Sequence, residues 1–211
     1  MCGRYYIEQE EDLAEMRQIL EEVNRRFQET EVIKAMRTGE IAPSHVVPAL
    51  RLQQKDGARQ VIADLFQWGY PRYQGSGLVI NARSETAVEK PMFRQAVQNG
   101  RILLPANAFF EWQHNDASKK GVKMKLSLAD EPTFYMAGLA RFFKEPGPFG
   151  LRLLRFVILT TAANQSVLPI HDRMPLIVPR QSLRSWLEDD GVAARLLDEP
   201  VQQQLVATRA S

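Results

Sequence analysis

Cysteine and histidine are scarce in this chain of 211 residues. Cys2 is the one cysteine, and the three histidines are His45, His114 and His171. A single cysteine excludes an internal disulfide and any zinc site that needs several cysteines. We therefore expect no structural metal and no bound cofactor.

Long apolar runs are also absent, since no segment approaches the roughly 20 apolar residues that a membrane-spanning helix needs. The chain passes from its first residues directly into the charged stretch Glu8 to Glu15, without the apolar region of a signal peptide. We expect a cytosolic protein with no membrane partner. The formal net charge of +2 neither identifies nor excludes a nucleic-acid partner, because a basic face would arise from local clustering of arginines.

The composition is that of an ordinary globular protein, 45% hydrophobic and 25% charged. Apolar residues recur at spacings of three and four in one segment, which predicts a helix over about residues 9 to 29. Short apolar runs broken by proline and glycine follow it and predict a β-rich centre. We find no repeat, low-complexity tract or linker, so we predict one α+β domain spanning residues 1–211.

Several segments give more detailed predictions. Lys123 to Leu128 alternates between polar and apolar residues, as a half-buried strand does. Ser84 is a candidate N-cap for a helix that runs to about Gln98. Arg101 to Trp112 predicts a strand with a kink at Pro105, and Gln181 to Ala207 has a helical pattern.

Cys2 stands directly behind Met1. Removal of Met1 would leave Cys2 with a free α-amine and a thiol on adjacent carbons. An α-amine has a pKa of about 7.7–8.0, so roughly a quarter of it is unprotonated near pH 7.4 and can attack an aldehyde. The neighbouring sulfur can then close a five-membered thiazolidine ring, which a cysteine elsewhere in a chain cannot do. The alternative is that Cys2 has no role and merely survives at a frayed terminus.

Three further polar clusters end apolar runs, where side chains emerge from a sheet into a cleft. They are Asn81 to Glu85, Phe109 to Trp112 and His171 to Pro175. Aromatic neighbours raise a carboxylate pKa, so Glu111 is a candidate general acid or base, unless it is a surface glutamate on an outward-facing position. His171 is a candidate for proton transfer near neutral pH, with a structural role as the alternative.

Two arginines and one tryptophan could likewise have either a DNA-binding role or a structural role. Arg83 and Arg173 could clamp phosphates or could form ion pairs. Trp68 could stack on a base or could fill the core. No one of these signals is specific by itself.

Eight short motifs follow one another along the chain: Cys2-Gly3-Arg4-Tyr5, Ile41-Ala42-Pro43, Trp68-Gly69, Asn81-Ala82-Arg83-Ser84-Glu85-Thr86, Phe93-Arg94, Leu104-Pro105-Ala106-Asn107-Ala108-Phe109-Phe110-Glu111-Trp112, Thr160-Thr161-Ala162-Ala163-Asn164 and Ile170-His171-Asp172-Arg173-Met174-Pro175. This ordered set resembles the SOS-response-associated peptidase family, whose members are abasic-site processing proteins. The resemblance covers essentially residues 2 to 180. Asn107 and Ala108 depart from the family, which more often has an aspartate and a glycine there.

The resemblance implies a compact β-barrel-like centre with surrounding helices and a groove for single-stranded DNA. It implies that the covalent residue is Cys2 and that the active site is completed by Asn81, Glu111 and His171. Positions where the family holds phosphates are matched by Arg4, Arg83, Arg94 and Arg173. Segments that press on bases are matched by Pro43 and Trp68.

The leading hypothesis is that the chain senses abasic sites in single-stranded DNA and becomes covalently joined to them through Cys2. The resulting thiazolidine would shield the lesion, whereas an imine alone would permit β-elimination and strand scission by a lyase reaction. We expect a monomer that acts in the cytoplasm and associates with the nucleoid when bound to DNA. One alternative is an N-terminal-nucleophile cysteine hydrolase, which would cleave peptides and could remove Met1 itself. Another is a non-covalent single-strand binding module.

Overall fold

The computed structural model of the chain describes residues 2–8, 14–115, 118–144, 153–200 and 203–210. Within these ranges it has six α-helices and fifteen β-strands. The helices are α1 (Ala14–Phe27), α2 (Glu31–Ala35), α3 (Ser84–Ala87), α4 (Arg94–Asn99), α5 (Leu183–Glu188) and α6 (Asp190–Asp198). The strands are β1 (Arg4–Ile7), β2 (Gly39–Ile41), β3 (Val46–Lys55), β4 (Ala58–Trp68), β5 (Tyr70–Pro71), β6 (Leu78–Val79), β7 (Asn81–Arg83), β8 (Arg101–Ala106), β9 (Ala108–Asn115), β10 (Ser118–Leu128), β11 (Phe134–Arg141), β12 (Leu154–Ala162), β13 (Arg173–Pro175), β14 (Ile177–Val178) and β15 (Leu205–Arg209).

Five of the strands close into a ring. In order around it, β12 pairs with β4, β4 with β3, β3 with β8, β8 with β11, and β11 with β12 again. The β12–β4 pair is parallel and the other four pairs are antiparallel. The short strands β7 and β13 pair with β12, and β14 pairs with β11. The expected α+β fold with a barrel-like centre is therefore confirmed.

The β3–β4 hairpin shows how local sequence fixes part of this ring. Lys55 pairs with Ala58, so the loop contains only Asp56 and Gly57. Both residues have positive φ, 50° and 79°, as a type I′ turn requires, and Asp-Gly is a favoured sequence for that turn. From this turn, β3 and β4 pair over ten residues each, and Trp68 lies at the opposite end of β4.

A second, five-stranded sheet runs in the order β15-β10-β9-β1-β2, and its pairs are all antiparallel. The first strand of the chain, β1, therefore lies inside this sheet, between β9 and β2. Alternate residues of β1 are buried, and these include Tyr5 and Ile7. The N-terminal residues are consequently held by hydrogen bonds to strands on both sides.

The apolar core lies on the two faces of the ring, because successive strand residues point to opposite sides. Val157 belongs to one cluster, which it shares with Val23 of α1 and other helix residues. Ile158 belongs to the other, which it shares with Cys2 and with Tyr5 of the five-stranded sheet. The helices thus cover the outer face of the ring, and Cys2 is on the inner side.

The structure corrects the predicted helix from Ser84 to about Gln98. There are two helices instead, since α3 ends at Ala87 and α4 begins at Arg94. Pro91 lies between them, and a proline inside a helix removes a hydrogen bond and clashes with the preceding turn. Ser84 is also not the N-cap. It is the first helical residue, and its hydroxyl has no hydrogen-bond partner within the described part of the chain.

Three other predicted elements differ from the observed ones. The break in the predicted strand Arg101 to Trp112 falls at Asn107, whereas Pro105 pairs regularly with Tyr135 inside the ring. Residues 205–207, the end of the predicted helical tail, belong to β15 (Leu205–Arg209), which pairs with β10. The first helix spans Ala14–Phe27, and residues 9–13 of its predicted range lie outside the described residues. None of the helices in the described ranges is long and apolar enough to cross a membrane.

Candidate active site around Cys2

Cys2 extends from the start of β1 into the inner core. Arg4 pairs with Phe110 of β9, so the antiparallel register brings the residues before Arg4 towards Glu111, the next residue of β9. The Cys2 side chain is fully buried, and its thiol donates a long hydrogen bond of 3.7 Å to the backbone carbonyl of Arg4. The only cysteine of the chain is therefore fixed beside the strand that carries Glu111.

Asn81 binds the backbone of Cys2 from the other sheet. It begins β7 and pairs with Ile158 of the ring, which fixes the position of its side chain. The Asn81 Nδ2 donates a 3.0 Å hydrogen bond to the carbonyl oxygen of Cys2. The other amide atom, Oδ1, is buried and has no hydrogen-bond partner among the described residues. A buried acceptor without a hydrogen bond costs free energy. A ligand that donates a hydrogen bond to this oxygen would therefore bind favourably here.

Glu111 and His171 lie next to each other at this site. The Oε2 of Glu111 is 4.0 Å from Nε2 of His171, and the Glu111 side chain is almost completely buried. The Nδ1 of His171 is 2.9 Å from the backbone N–H of Arg173 and 2.8 Å from Oδ1 of Asp172. A neutral ring with its proton on Nε2 accepts from Arg173, and a charged ring donates to Asp172. Both protonation states of the imidazole therefore have a partner at Nδ1.

The electrostatics of the site favour protonated acids. Burial raises the pKa of Glu111 above its ordinary value, although the positive charge of His171 opposes this shift. Burial also raises the pKa of the Cys2 thiol, and the negative charge of Glu111 adds to that shift. The thiol is thus held neutral, and Glu111 keeps its proton to a higher pH than an exposed glutamate would.

Two of the four arginines that match the family's phosphate positions lie beside the site. Arg4 is the first residue of β1, two positions after Cys2. Its side chain is about half exposed and lies 3.6 Å from Glu40. Arg83 is exposed at the end of β7, two residues beyond Asn81 and so on the same face of that strand.

The other two arginines are placed differently. Arg94 is exposed on α4, which packs on the outer face of the ring against β8 and β11. Arg173 is held by a two-point ion pair with Glu85 and by a 2.6 Å hydrogen bond to the carbonyl of Thr160, and its side chain is only 11% exposed. The structure does not bring Arg94 to Cys2, and it gives Arg173 a structural ion pair.

Trp68 and Pro43 come together, but Trp68 is not at the surface. Its ring is completely buried, stacks on Phe156 at 6.0 Å, and donates its indole N–H to the carbonyl of Ile80. Pro43 is half-buried in the turn before β3, and the next residue, Ser44, donates its backbone N–H to the Trp68 carbonyl. This arrangement agrees with the core-filling alternative for Trp68.

Sequence reasoning missed the partners that orient the site. Asp172 and Glu85 are exposed acids whose contacts with His171 and Arg173 appear only in the folded chain. Tyr5 was also missed. Its buried hydroxyl has no hydrogen-bond partner within the described residues, and burial together with Cys2 raises its pKa. Strand alternation in β1 was the available signal for Tyr5, since it places that ring on the core side.

The described residues contain no group of three or more His, Cys, Asp and Glu side chains that could hold a metal ion. Cys2, Asn81, Glu111 and His171 supply the site with a thiol, an amide, a carboxyl group and an imidazole.

Comparison with known proteins gives matches over most of the chain. The model of a family described as SOS response associated peptidase (SRAP) matches residues 1–211. The abasic site processing protein YoqW of Bacillus subtilis (strain 168) is 32% identical over 195 residues, which is 89% of this chain and 80% of that protein. The abasic site processing protein YedK of Escherichia coli (strain K12) is 33% identical over 124 residues, which is 58% of this chain and 54% of that protein.

Two solved structures share the fold. A crystal structure of a protein from Bacteroides thetaiotaomicron has a TM-score of 0.74 at 22% identity, and the match covers 100% of this chain and 92% of the other. A phage-related protein from Bordetella bronchiseptica has a TM-score of 0.68 at 22% identity, covering 99% of this chain and 94% of the other. At such identities these structures establish the architecture alone.

Proposed function

Because the chain belongs to the SOS response associated peptidase family, we propose that it processes abasic sites in DNA, as the names of its relatives state for them. More specifically, the proposed product is a covalent cross-link between Cys2 and an abasic site in single-stranded DNA. The protein is proposed to act as a monomer in the cytoplasm and to join the nucleoid when bound to DNA, because DNA is the substrate.

The proposed reaction needs only the two groups of an N-terminal Cys2 and the aldehyde of the open-chain sugar. After removal of Met1, the Cys2 nitrogen attacks C1′, and loss of water gives an imine. The Cys2 sulfur then adds to the imine carbon while the nitrogen gains a proton, which closes the thiazolidine ring. The imine carbon is consumed in this step, so β-elimination and strand scission, the lyase outcome, are suppressed.

Glu111 and His171 are proposed to move the protons of these steps. A carboxyl group with a raised pKa can donate a proton when water leaves, and His171, 4.0 Å away, can return it. The Cys2 thiol is neutral at the start because its pKa is raised, so ring closure needs a nearby group that accepts the thiol proton. The Glu111 carboxylate, once it has given up its own proton, fills that role.

The observation that best supports this proposal is the meeting of Cys2, Asn81, Glu111 and His171, which lie far apart in the sequence. Asn81 binds the Cys2 carbonyl, and His171 lies beside Glu111. Burial, with the negative charge of Glu111 adding to it, raises the pKa of the Cys2 thiol. The free Oδ1 of Asn81 is suited to accept a hydrogen bond from a sugar hydroxyl or from the terminal amine. Such an arrangement around the sole cysteine is not expected of a residue without a role.

Phosphate contacts are proposed for Arg4 and Arg83, which lie beside Cys2 and Asn81. Such contacts position a strand without reading its sequence, which suits a lesion that has lost its base. Arg173 is proposed to reach a phosphate only if its pair with Glu85 opens. For Arg94, Pro43 and Trp68 the contact with DNA remains a prediction from the family pattern.

The decisive experiment uses single-stranded oligonucleotides that are identical except for one abasic site. Wild-type protein is expected to give a band that survives denaturation with the abasic strand and none with the intact strand. Cys2→Ala is the matched control and is expected to give no stable band. A wild-type protein of verified mass, lacking Met1, that yields no adduct would overturn the proposal.

The hydrolase alternative has less support from the site. A cysteine hydrolase needs a thiolate for its first attack on the substrate, and burial raises the pKa of the Cys2 thiol. In the cross-linking reaction the amine attacks first, and the thiol adds only to the imine that results. Autocatalytic removal of Met1 would use the same residues and is compatible with the cross-linking reaction. An assay of peptide cleavage beside the oligonucleotide assay separates the two activities.

A further inference from the structure

The outer face of the five-stranded sheet carries an ordered set of cations and aromatic rings. We call it the basic face, and it consists of Arg4 and Tyr6 of β1, Phe110 of β9, Lys123 and Lys125 of β10, and Glu40 of β2. The residues between them, such as Tyr5, Phe109 and Leu126, point into the core. The helices pack mainly against the ring strands, on another side of the molecule.

The cations of the basic face lie over its rings. The Lys123 ammonium is 4.2 Å from the centroid of the Phe110 ring, and the Lys125 ammonium is 5.4 Å from that of Tyr6. The two rings meet edge to face at 6.5 Å. Each lysine stem therefore covers an aromatic ring while its charge stays at the surface, and the positive groups have defined positions.

Positive charge exceeds negative charge on this face. Glu40 is the one acid among the six residues that define the face, and it lies 2.6 Å from Lys123 and 3.6 Å from Arg4. Lys125 has no acidic partner among the described residues. The protein as a whole carries a formal charge of only +2, so a local excess of this kind distinguishes the face from the average surface.

The basic face adjoins the candidate active site. Lys125 pairs with Phe110, which pairs with Arg4, so these three residues form one row across three strands. Lys123 belongs to the next row, opposite Trp112 and nearer to Cys2. A strand whose lesion is at Cys2 would cross this row if it continued past Arg4 along the sheet.

We propose that the basic face binds the phosphate backbone of the DNA strand flanking the abasic site, with Lys123 and Lys125 as phosphate contacts and Glu40 as an acid that weakens binding. The proposal rests on the function proposed above. A polyanion fits because the face offers cations without a donor pattern for particular bases, and the rings beneath can take a stacked base when a lysine turns to a phosphate.

The test compares affinities for an intact single strand, measured by fluorescence anisotropy over a range of salt. The double variant Lys123→Gln/Lys125→Gln is expected to bind roughly 25-fold more weakly at about 0.1 M salt, and its salt slope should fall by about 1.4. Glu40→Gln is expected to bind more tightly than wild type. The matched control is Lys34→Gln/Lys55→Gln, which removes two exposed lysines of α2 and β3 and should change affinity less than twofold.

The outcomes separate this inference from the proposed function. The basic-face proposal would be overturned if the double variant and its control lost the same affinity. It would also be overturned if folded Glu40→Gln bound DNA no more tightly than wild type. Neither result would affect the proposed cross-linking function. If the affinity pattern appears but no protein forms an adduct with abasic DNA, the covalent function fails and the binding face is supported.

Discussion

The side-chain amide of Asn81 donates to the backbone carbonyl of Cys2 over 3.0 Å, and so joins two residues that are 79 positions apart. Asn81 itself is held by the parallel pairing of β7 with β12 in the closed ring. The position of Cys2 is therefore set by the barrel as well as by β1. This relationship makes Cys2 part of a rigid site, whereas the first residues of a domain are commonly mobile.

Asn81→Ala should slow adduct formation about tenfold. The change removes one hydrogen bond to Cys2, worth about 1 kcal/mol, and it removes the buried amide oxygen proposed to accept a hydrogen bond from the substrate. Affinity for an intact single strand should stay near that of wild type. Rates are measured from the growth of the denaturation-resistant band at saturating protein. A reduced affinity with an unchanged rate would show that Asn81 acts in binding alone.

An uncleaved N-terminal extension should abolish the adduct but not DNA binding. In that protein the nitrogen of Cys2 is an amide, which cannot form an imine, whereas the arginines beside the site are unchanged. Intact mass spectrometry verifies the terminus, and gel assays on abasic and intact strands measure both properties. An adduct of undiminished yield from the extended protein would eliminate the ring mechanism.

Glu111→Gln and His171→Ala should each slow adduct formation while leaving single-strand affinity near wild type, because neither residue is assigned to a phosphate. An effect of about 10²-fold is expected for a proton-transfer group. If both variants instead lose as much single-strand affinity as Arg83→Ala does, Glu111 and His171 act in DNA binding and not in proton transfer.

The stability of Glu111→Gln should also depend on pH in a definite direction. Burial raises the pKa of Glu111, so the unfolded chain releases this proton at a lower pH than the folded chain. Stability from this group is therefore lost as pH rises from the ordinary glutamate pKa through the raised one. Relative to wild type, Glu111→Gln should gain stability over that window and should show no gain below it. Chemical denaturation at several pH values measures the difference, and a constant difference at all pH would contradict the shift.

Arg83→Ala and Arg173→Ala should have different effects. Arg83 is exposed, so its loss should reduce the salt dependence of binding by about 0.7 per phosphate without lowering the melting temperature. Loss of Arg173 leaves Glu85 and the Thr160 carbonyl without their partner, which should destabilise the fold by about 1–3 kcal/mol. Glu85→Gln is the control, since it weakens the same pair and leaves the arginine available to DNA.

The sequence predicted the class of the fold because hydrophobic periodicity is a local property. The alternation of Lys123 to Leu128 lies inside β10. The apolar residues spaced three and four apart in the predicted first helix include Met16 and Val23, which lie on the buried side of α1. Closure of the ring was not visible in the pattern, since it depends on pairing between β11 and β12 and between β12 and β4. It was expected only from the family resemblance.

For the site, the sequence showed candidate residues but not their partners. The apolar setting of Glu111 was foreseen from its aromatic neighbours, and its burial agrees with that. The ion pair of Arg173 with Glu85 joins residues 88 apart, so no local pattern could separate it from a phosphate contact. The sequence could not assign Trp68 either, because an indole ring is equally suited to stacking on a DNA base and to stacking on a core side chain such as Phe156.

Cys2→Ser separates the amine from the thiol and so tests the central step. The variant keeps the α-amine, which should still form an imine with the abasic aldehyde, but a hydroxyl is a much weaker nucleophile and should close the ring poorly. We expect an adduct that becomes stable only after borohydride reduction, together with some strand cleavage by elimination. Wild-type protein should give a stable cross-link without reductant and should largely protect the strand. Denaturing gels with and without borohydride measure both products, and a stable cross-link from Cys2→Ser equal to that of wild type would rule out the thiazolidine.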